Sequence, residues 1–154
     1  MKQKIGSLML LLLMAISVSS CTDVQGPITV FNKYEISHIG LKNADLSFLF
    51  DVENPNDIPI GIKDINYSVS LDGNNLMSGT YEGFSMQARE KKSVKIPIEI
   101  IYSRMIGPAA NVARKFIMRN SSIKYELEGQ ALIVDNVGFS SRVPLHADGE
   151  IKLF

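Results

Sequence analysis

The side chains that could do chemistry in this 154-residue chain are few and widely spaced. Its two histidines, His38 and His146, stand far apart and form no metal-binding pair such as H-x-x-x-H. No serine lies in a G-x-S-x-G nucleophile motif. Asp51 and Glu53 could form a carboxylate pair for acid–base catalysis, but the alternating pattern around them points both toward solvent. The sequence therefore predicts no catalytic residues, no metal site and no cofactor.

The single cysteine, Cys21, has a context that indicates lipid attachment. Two lysines in the first four residues precede an apolar run over 8–18, and two serines lead into the cysteine. This order is typical of a secretory signal peptide, which needs a basic start, an apolar core and small residues at the cleavage site. Residues 18–21, Val-Ser-Ser-Cys, resemble the lipobox of bacterial lipoproteins. The resemblance implies a removed signal peptide over 1–20, a palmitate-type lipid on Cys21 and a tether over 21–27.

Two other interpretations of this segment stay open. An uncleaved transmembrane anchor is disfavoured, because the apolar run is shorter than the roughly 20 residues that a spanning helix needs. A secreted protein with a free thiol would expose that thiol to an oxidising compartment. The lipoprotein interpretation places the chain in the cell envelope, held to a membrane by its N-terminus. Thr22, which stands where inner-membrane lipoproteins often have Asp, resembles the outer-membrane class on the periplasmic side.

Length and charge fit one small domain after the tether. The first 20 residues hold two of the 16 basic residues and none of the 16 acidic ones, which leaves a net charge of −2. Nucleic-acid binding is excluded by this balance, because such proteins concentrate positive charge. The expected domain, residues 28–154, must be stabilised by packing, since one cysteine cannot form an internal disulfide. Its expected core includes Phe48, Phe50, Tyr67, Val69, Ile96, Ile98 and Leu127.

The elements that would position these residues are mostly β-strands. Apolar and polar residues alternate with a period of two over 44–52, 65–71 and 94–100. Weaker strand patterns cover 29–39, 76–86, 123–129, 130–134 and 139–147. Pro97 lacks a backbone donor, so its strand is expected to lie at an edge or to have the Pro97 amide position facing outward. Gly129 predicts a bulge or bend. Strands joined by turns, as at 72–75 and 135–138, predict an all-β antiparallel sandwich or barrel.

One segment has helical periodicity instead. Apolar residues at i, i+3, i+4, i+7 and i+8 would share one helix face: Ala109, Val112, Ala113, Phe116 and Ile117. Pro108 suits the first turn, and Arg114, Lys115 and Arg119 occupy the other side. We expect one short amphipathic helix that closes an end of the sandwich. Contact of its basic face with anionic lipid is the alternative.

The order of these elements resembles the late embryogenesis abundant group 2 domain, also called the water stress and hypersensitive response domain. The similarity covers residues 29–153. It is clearest in the strand end Phe50-Asp51-Val52-Glu53-Asn54-Pro55-Asn56, in Ile65–Gly73, in the basic turn at 89–92 and in the glycine-terminated strand over 123–129. The resemblance implies a fibronectin type III-like, immunoglobulin-like sandwich with a short helix. It also implies a link to desiccation and other water stress, and no recognised catalytic residues.

The Asn54-Pro55-Asn56 motif has a structural and a functional interpretation. Pro55 fixes its own φ and disfavours the helical region for Asn54, which is held extended. Asn56 and Asp57 can form hydrogen bonds with nearby backbone groups and turn the chain. The motif then ends one strand and directs the next. In the alternative, its amides hold a ligand.

A second group, Arg89, Lys91, Lys92 and Lys95, surrounds a turn. Charged residues of this kind keep an edge strand soluble. A short tether would also bring them near a membrane, where contact with anionic headgroups becomes the functional interpretation. Screening limits that attraction to about 8 Å at physiological salt.

The combined expectation is a non-enzymatic, membrane-anchored envelope protein whose stress-associated domain binds or shields other molecules, including envelope proteins or lipids. The alternative is a carrier of a lipid or other apolar ligand between the sheets. That alternative requires the sheets to separate around Phe48, Phe50, Tyr67, Phe84 and Phe116. A hydrolase is the third interpretation, and the thin set of chemical groups disfavours it.

Overall fold

The structure, a computed structural model, describes residues 24–135, 138 and 140–153. The predicted signal peptide over 1–20 and Cys21 lie outside the described residues, as does part of the predicted turn at 135–138. In chain order the elements are β1 (Ile28–Ile39), β2 (Asn43–Glu53), β3 (Ile60–Leu71), β4 (Asn74–Tyr81), β5 (Phe84–Met86), β6 (Lys91–Ile101), α1 (Ala110–Met118), β7 (Ser122–Asp135) and β8 (Ser140–Lys152). The predicted all-β antiparallel sandwich with one short helix is confirmed.

The strands form two antiparallel sheets. The first sheet has the order β1-β2-β6, and the second has the order β4-β3-β7-β8, with β5 paired to the start of β3. Strand β6 lies at the edge of the first sheet, as the proline at position 97 predicts. Both sheets and the buried core lie within residues 24–153. We expect the chain from Val24 to fold on its own, because it contains the strands of both sheets and the core between them.

Alternation of side chains determines which face of each strand is buried. Along β2 and β6 the apolar members of the alternating pattern are at most 5% exposed: Ala44, Leu46, Phe48, Phe50, Val52, Val94, Ile96, Ile98 and Ile100. They face the second sheet, where Val69 and Leu127 are equally buried. Tyr67 differs from the expectation because it is only partly buried and packs at the margin of this core.

Aromatic rings join the two sheets. The Tyr125 ring of β7 lies 5.1 Å from the Phe48 ring, 6.0 Å from the Phe31 ring and 5.7 Å from the Tyr34 ring, measured between centroids. The Tyr34 and Tyr125 rings meet edge to face at 66°, and the other two pairs are tilted at 54° and 55°; offset and edge-to-face contacts are those that aromatic pairs favour. Because Phe31, Tyr34 and Phe48 belong to the first sheet, this cluster holds the sheets together.

The structure differs from the strand predictions at two glycines, and each of them lies close to the backbone of a neighbouring strand. Strand β7 continues without interruption through Gly129, which pairs with Tyr67 on one side and Leu145 on the other. A Cβ at Gly129 would lie 2.8 Å from the Asn66 oxygen, so glycine permits close strand contact here rather than a bend. At Gly83 the predicted strand over 76–86 divides into β4 and β5. A Cβ there would lie 2.4 Å from the Ile62 oxygen.

The helix α1 follows a short 3₁₀ turn, Gly107–Ala109, that contains the proline at position 108. Its buried face consists of Val112, Ala113 and Phe116. Ile117 is 45% exposed, so this face is narrower than the periodicity predicts. Arg119 adopts a left-handed conformation and ends the helix. Among the described residues, no helix is long and apolar enough to cross a membrane.

Candidate functional site

The Asn54-Pro55-Asn56 motif follows β2 at one end of the sandwich, and Asn54 is completely buried. Its Nδ2 donates to the carbonyl oxygens of Ile58 at 2.9 Å and Gln87 at 2.8 Å. Its Oδ1 accepts from the backbone N–H of Asn56 at 3.0 Å and from the Asn56 Nδ2 at 2.9 Å. This side chain therefore joins the loop after β2 to the turn before β6.

Asn56 extends the network to the first described residues. Its Nδ2 donates to the Gln25 oxygen and its Oδ1 accepts from the Gln25 N–H, both at 2.8 Å. Its carbonyl oxygen accepts from the backbone N–H of Arg89 at 3.1 Å. The chain thus enters the fold beside the motif. We call this end of the molecule, formed by residues 24–27, 53–58 and 87–91, the Asn54 end.

The four basic residues considered for headgroup contact do not form one patch. Arg89 donates through Nε to Asp57 Oδ1 at 2.8 Å, and Lys91 Nζ lies 3.0 Å from Glu53 Oε2. The hydrogen bond and positive charge of Arg89 lower the pKa of the Asp57 carboxyl, and Asp57 in turn raises the pKa of Arg89. Both pairs are exposed to solvent, where such contacts contribute little to stability.

Lys95 and Lys92 lie on opposite faces of β6. Lys95 Nζ is 3.0 Å from Glu35 Oε2, and Lys33 Nζ is 2.9 Å from Glu35 Oε1. Hydrogen bonds from these two lysines lower the pKa of Glu35. Lys92 Nζ instead lies 4.7 Å from the centroid of the Phe84 ring, a cation–π contact. Each of the four basic residues therefore has its own partner within the chain.

The residues considered for catalysis are also separated. His38 lies on β1 of the first sheet, whereas His146 lies on β8 of the second. Asp51 and Glu53 share the outer face of β2, where Asp51 Oδ2 accepts from Asn32 Nδ2 at 2.8 Å and Glu53 forms its ion pair. In the described part of the chain neither carboxylate adjoins a histidine, and the hydroxyl residue nearest in register is Ser93 of β6, opposite Asp51.

The structure brings together three residues of types that can bind a metal ion. Their spacing in the sequence does not reveal this group. Ligand atoms of Glu126, Glu128 and His146 lie within 4.8 Å of one another, and all three side chains are exposed. His146 stands directly opposite Glu128, and its Nε2 lies 3.1 Å from Asp148 Oδ1. These donors suit a divalent cation in type. The signal that could have found them is the β7–β8 register, which a single strand pattern does not contain.

The same residues belong to a continuous polar surface, the outer face of the second sheet. Cross-strand pairing places hydroxyl, amide, carboxylate and imidazole groups side by side: Asn66, Ser68, Ser70, Ser78, Thr80, Glu126, Glu128, Gln130, His146 and Asp148. We call this set the polar face. The Thr80 hydroxyl donates to Asn66 Oδ1 at 3.0 Å. The remaining groups present many hydrogen-bonding atoms to solvent.

A cavity of about 250 Å³ lies at the seam between edge strands β6 and β4, and the polar part of its lining includes Asn75, Glu99 and Arg104. We call it the seam cavity; its apolar lining includes Val69, Leu76, Met77, Ile98, Ile100 and Met105. The space between the sheets around the expected aromatic residues is filled instead. Phe48, Phe50 and Phe116 are at most 1% exposed, and Phe116 stacks on Tyr102 with centroids 6.2 Å apart.

Comparison with known proteins identifies relatives of this sandwich. A family model described as late embryogenesis abundant protein matches residues 49–149. The desiccation protectant protein Lea14 homolog of Glycine max is 29% identical over 103 residues, which cover 66% of this chain. Those residues cover 64% of the Glycine max protein, so the match spans less than two thirds of its length.

Solved structures share the fold at lower sequence identity. A protein from Arabidopsis thaliana superposes with a TM-score of 0.59 at 21% identity, over 85% of this chain and 86% of that one. A protein described as late embryogenesis abundant superposes with a TM-score of 0.62 at 17% identity, over 87% of this chain and 75% of that one. A protein from Archaeoglobus fulgidus superposes with a TM-score of 0.54 at 11% identity, over 83% of this chain and 95% of that one. These likenesses concern the fold alone.

Proposed function

The chain belongs to the late embryogenesis abundant protein family, and from this membership we propose that it is a non-enzymatic protein that shields other molecules at the cell envelope when water is lost. The desiccation protectant of Glycine max supports the stress association. The separation of His38 from His146, and of both from Asp51 and Glu53, supports a role without catalysis.

The observation that carries the proposal is the polar face. Polar groups that lose water without gaining other hydrogen bonds raise the free energy of a protein surface. A rigid sheet that presents hydroxyls, amides and carboxylates on alternate residues supplies replacement partners at regular spacing. Such contacts need no fixed sequence in the protected molecule, which suits a protein that shields many partners.

The shielding of a partner enzyme should increase with the amount of this protein and should depend on the polar face. We expect lactate dehydrogenase, dried and rehydrated with increasing amounts of this protein, to retain activity in proportion to the protein present. Replacing Glu126→Leu together with Glu128→Leu should raise the amount needed for half protection by about threefold or more, because two hydrogen-bonding groups are lost. The matched control, Glu35→Leu with Asp51→Leu, removes two carboxylates from the first sheet and should leave protection unchanged.

The same experiment separates the proposal from catalysis. A His38→Ala, His146→Ala double variant that remains folded should protect as well as the unmodified chain. Loss of a substrate-converting activity in that variant would overturn the proposal in favour of an enzyme. Equal loss of protection in the carboxylate variant and its control would show that the polar face has no particular role.

A second candidate function, carriage of a lipid or other apolar ligand, is favoured by the seam cavity. A closed apolar cavity of about 150 Å³ is enough to admit benzene. The seam cavity is larger at about 250 Å³, but it opens to solvent and includes Asn75, Glu99 and Arg104, so a ligand there would need a polar group beside its apolar part. The expected ligand position thus moves from the filled space around Phe48 to the gap between β6 and β4. A carrier would co-purify with fatty acid or phospholipid at a defined stoichiometry, released by organic extraction, and would not protect in proportion to its amount.

We further propose that the protein is a lipoprotein held to the envelope through Cys21, on the periplasmic side of the outer membrane. The basic start, the apolar run over 8–18 and the Val-Ser-Ser-Cys sequence support this. More than one acyl chain on the mature N-terminus would give stable anchoring, since each buried methylene contributes about 0.8 kcal/mol.

Replacing Cys21→Ala should release the protein from the membrane or block its processing. The thiol accepts the lipid, so its loss removes both the anchor and the substrate of the cleavage step. Cell fractionation with an antibody to the domain measures the distribution, and a Ser20→Ala variant, which keeps a small residue before the cysteine, is the control. Unchanged processing and an unchanged membrane pellet in Cys21→Ala would contradict the lipoprotein assignment.

A further inference from the structure

The end of the sandwich opposite the Asn54 end carries positive charge without balancing acidic residues of its own. We call it the helical end; it comprises residues 40–43, in the β1–β2 turn, and 101–121, which include α1. These two segments hold five basic residues and no Asp or Glu: Lys42, Arg104, Arg114, Lys115 and Arg119. Lys115 pairs with Asp72 at 2.7 Å from the neighbouring turn. The other four are exposed, and none forms an ion pair with a described carboxylate.

Large apolar side chains are exposed at the same end. Of the seven such side chains in the described residues, four lie here: Leu41 at 84%, Ile106 at 82%, Met118 at 58% and Ile117 at 45%. The helix already buries Val112, Ala113 and Phe116 against the sandwich, so Ile117 and Met118 are not needed for the core. Exposed apolar residues gathered at one place indicate a contact surface more than scattered ones do.

Hydrogen bonds hold the two segments side by side. The guanidinium of Arg119, at the end of α1, donates to the carbonyl oxygen of Ile39 beside the β1–β2 turn. The backbone N–H of Tyr102 donates to the oxygen of Lys42 at 3.0 Å. The exposed apolar residues and the basic residues thus lie at the same end of the molecule.

From this combination we infer that the helical end binds an anionic lipid surface. Apolar side chains surrounded by Lys and Arg are what a helix lying in a membrane interface presents, with the apolar residues entering the headgroup boundary. At the Asn54 end, by contrast, Arg89 and Lys91 are paired with Asp57 and Glu53. Headgroup contact therefore belongs to the helical end rather than to the basic residues at 89–95.

The helical end lies opposite the point at which the chain enters the fold. Gln25 is bonded to Asn56 at the Asn54 end, so the chain enters the fold on the side away from the helical end. A domain held by its N-terminus would present Leu41 and Met118 away from the anchoring bilayer, toward a second, apposed membrane. The inference itself does not depend on acylation of Cys21, and the experiment below omits that residue.

Flotation with lipid vesicles tests the inference on the chain from Val24 to Phe154. Residues before Val24 are left out because the apolar run over 8–18 would enter vesicles by itself. The chain from Val24 keeps both sheets, α1 and the core, and circular dichroism and thermal melting confirm folding of each variant first. The vesicles are phosphatidylcholine alone, or phosphatidylcholine with about one quarter phosphatidylglycerol, a composition that gives a negative surface potential.

We expect binding to the anionic vesicles only, weakening as salt rises. Arg104→Gln with Arg114→Gln should lower the partition coefficient about 25-fold, since each basic residue near an anionic surface contributes roughly fivefold. Lys91→Gln with Lys95→Gln makes the same change of charge on the first sheet and should have little effect. Leu41→Ser with Met118→Ser should lower binding by about tenfold or more.

Three results would overturn the inference. The first is binding of the unmodified chain to anionic vesicles no stronger than to neutral ones. The second is an equal loss in the two arginine and lysine double variants, which would indicate general charge attraction without a defined surface. The third is a chain that does not bind vesicles but forms a dimer, with the dimer abolished by Leu41→Ser and Met118→Ser. The surface would then bind a second copy of the chain.

Discussion

Replacing Phe48→Ala should unfold the chain from Val24, or leave it only marginally folded. Phe48 is 1% exposed and its ring contacts the Tyr125 ring of the opposite sheet at 5.1 Å. Truncating a buried Phe costs about 3 to 5 kcal/mol, and the free energy of unfolding of a small domain is roughly 5 to 15 kcal/mol. The loss is expected near the upper value, because removing the ring also weakens the contact between the sheets. Urea denaturation followed by tyrosine fluorescence measures the change.

Asp51→Ala is the matched control on the same strand. Asp51 is exposed on the outer face of β2 and accepts one hydrogen bond from Asn32 at 2.8 Å. Exposed substitutions of this kind change the free energy of unfolding by about 0.5 kcal/mol or less. If Phe48→Ala and Asp51→Ala had similar denaturation midpoints, the assignment of the buried face of β2 would be wrong.

Strand alternation allowed the sandwich to be predicted because one buried face imposes a period of two. The pattern in 44–52 and 94–100 correctly identified the buried members of β2 and β6, and Pro97 correctly indicated an edge. Gly129 misled because a glycine that permits close strand contact and a glycine that forms a bulge look alike in sequence. The Asn66 oxygen that distinguishes them belongs to another strand.

Surfaces were harder to predict than strands, because partners across strands are fixed by register and by packing of the sheets. The basic residues at 89–95 form a cluster in sequence, yet Lys92 and Lys95 point to opposite faces, and Lys95 meets Glu35 of β1. For the same reason, the sequence did not reveal the group formed by Glu126, Glu128 and His146, which depends on the register between β7 and β8. It also did not reveal the exposure of Ile117, whose place in the helical pattern indicated a buried residue.

The Asn54-Pro55-Asn56 motif illustrates how a local pattern can have a non-local purpose. The sequence predicts that Pro55 and Asn56 end a strand and turn the chain. The structure adds that the Asn54 amide reaches Gln87, 33 residues away in sequence, and that Asn56 reaches Gln25, 31 residues away. We interpret the motif as the junction at which three separate segments are held together, and its removal should therefore be costly.

Replacing Asn54→Ala should destabilise the chain from Val24 nearly as strongly as a core truncation. The change removes both donors to the carbonyl oxygens of Ile58 and Gln87 and the acceptor for the N–H of Asn56. A buried polar group left without its partner costs about 1 to 3 kcal/mol. We expect a total loss of about 3 kcal/mol, reduced where water enters the vacated space. The urea midpoint measures it, and Asn66→Ala, on the exposed polar face, is the control.

Asn54→Asp tests whether the amide donors matter or only the shape. The substitution keeps an acceptor toward Asn56 but directs carboxylate oxygens at two carbonyl oxygens in a buried site. Burial and repulsion would raise the pKa of the introduced carboxyl in the folded state above its unfolded value of about 3.9. Its destabilising effect should then be largest at neutral pH and shrink as the pH falls toward that unfolded value, because protonation restores a donor. If Asn54→Asp were as stable as the unmodified chain at neutral pH, the hydrogen bonds to Ile58 and Gln87 would not hold the Asn54 end together.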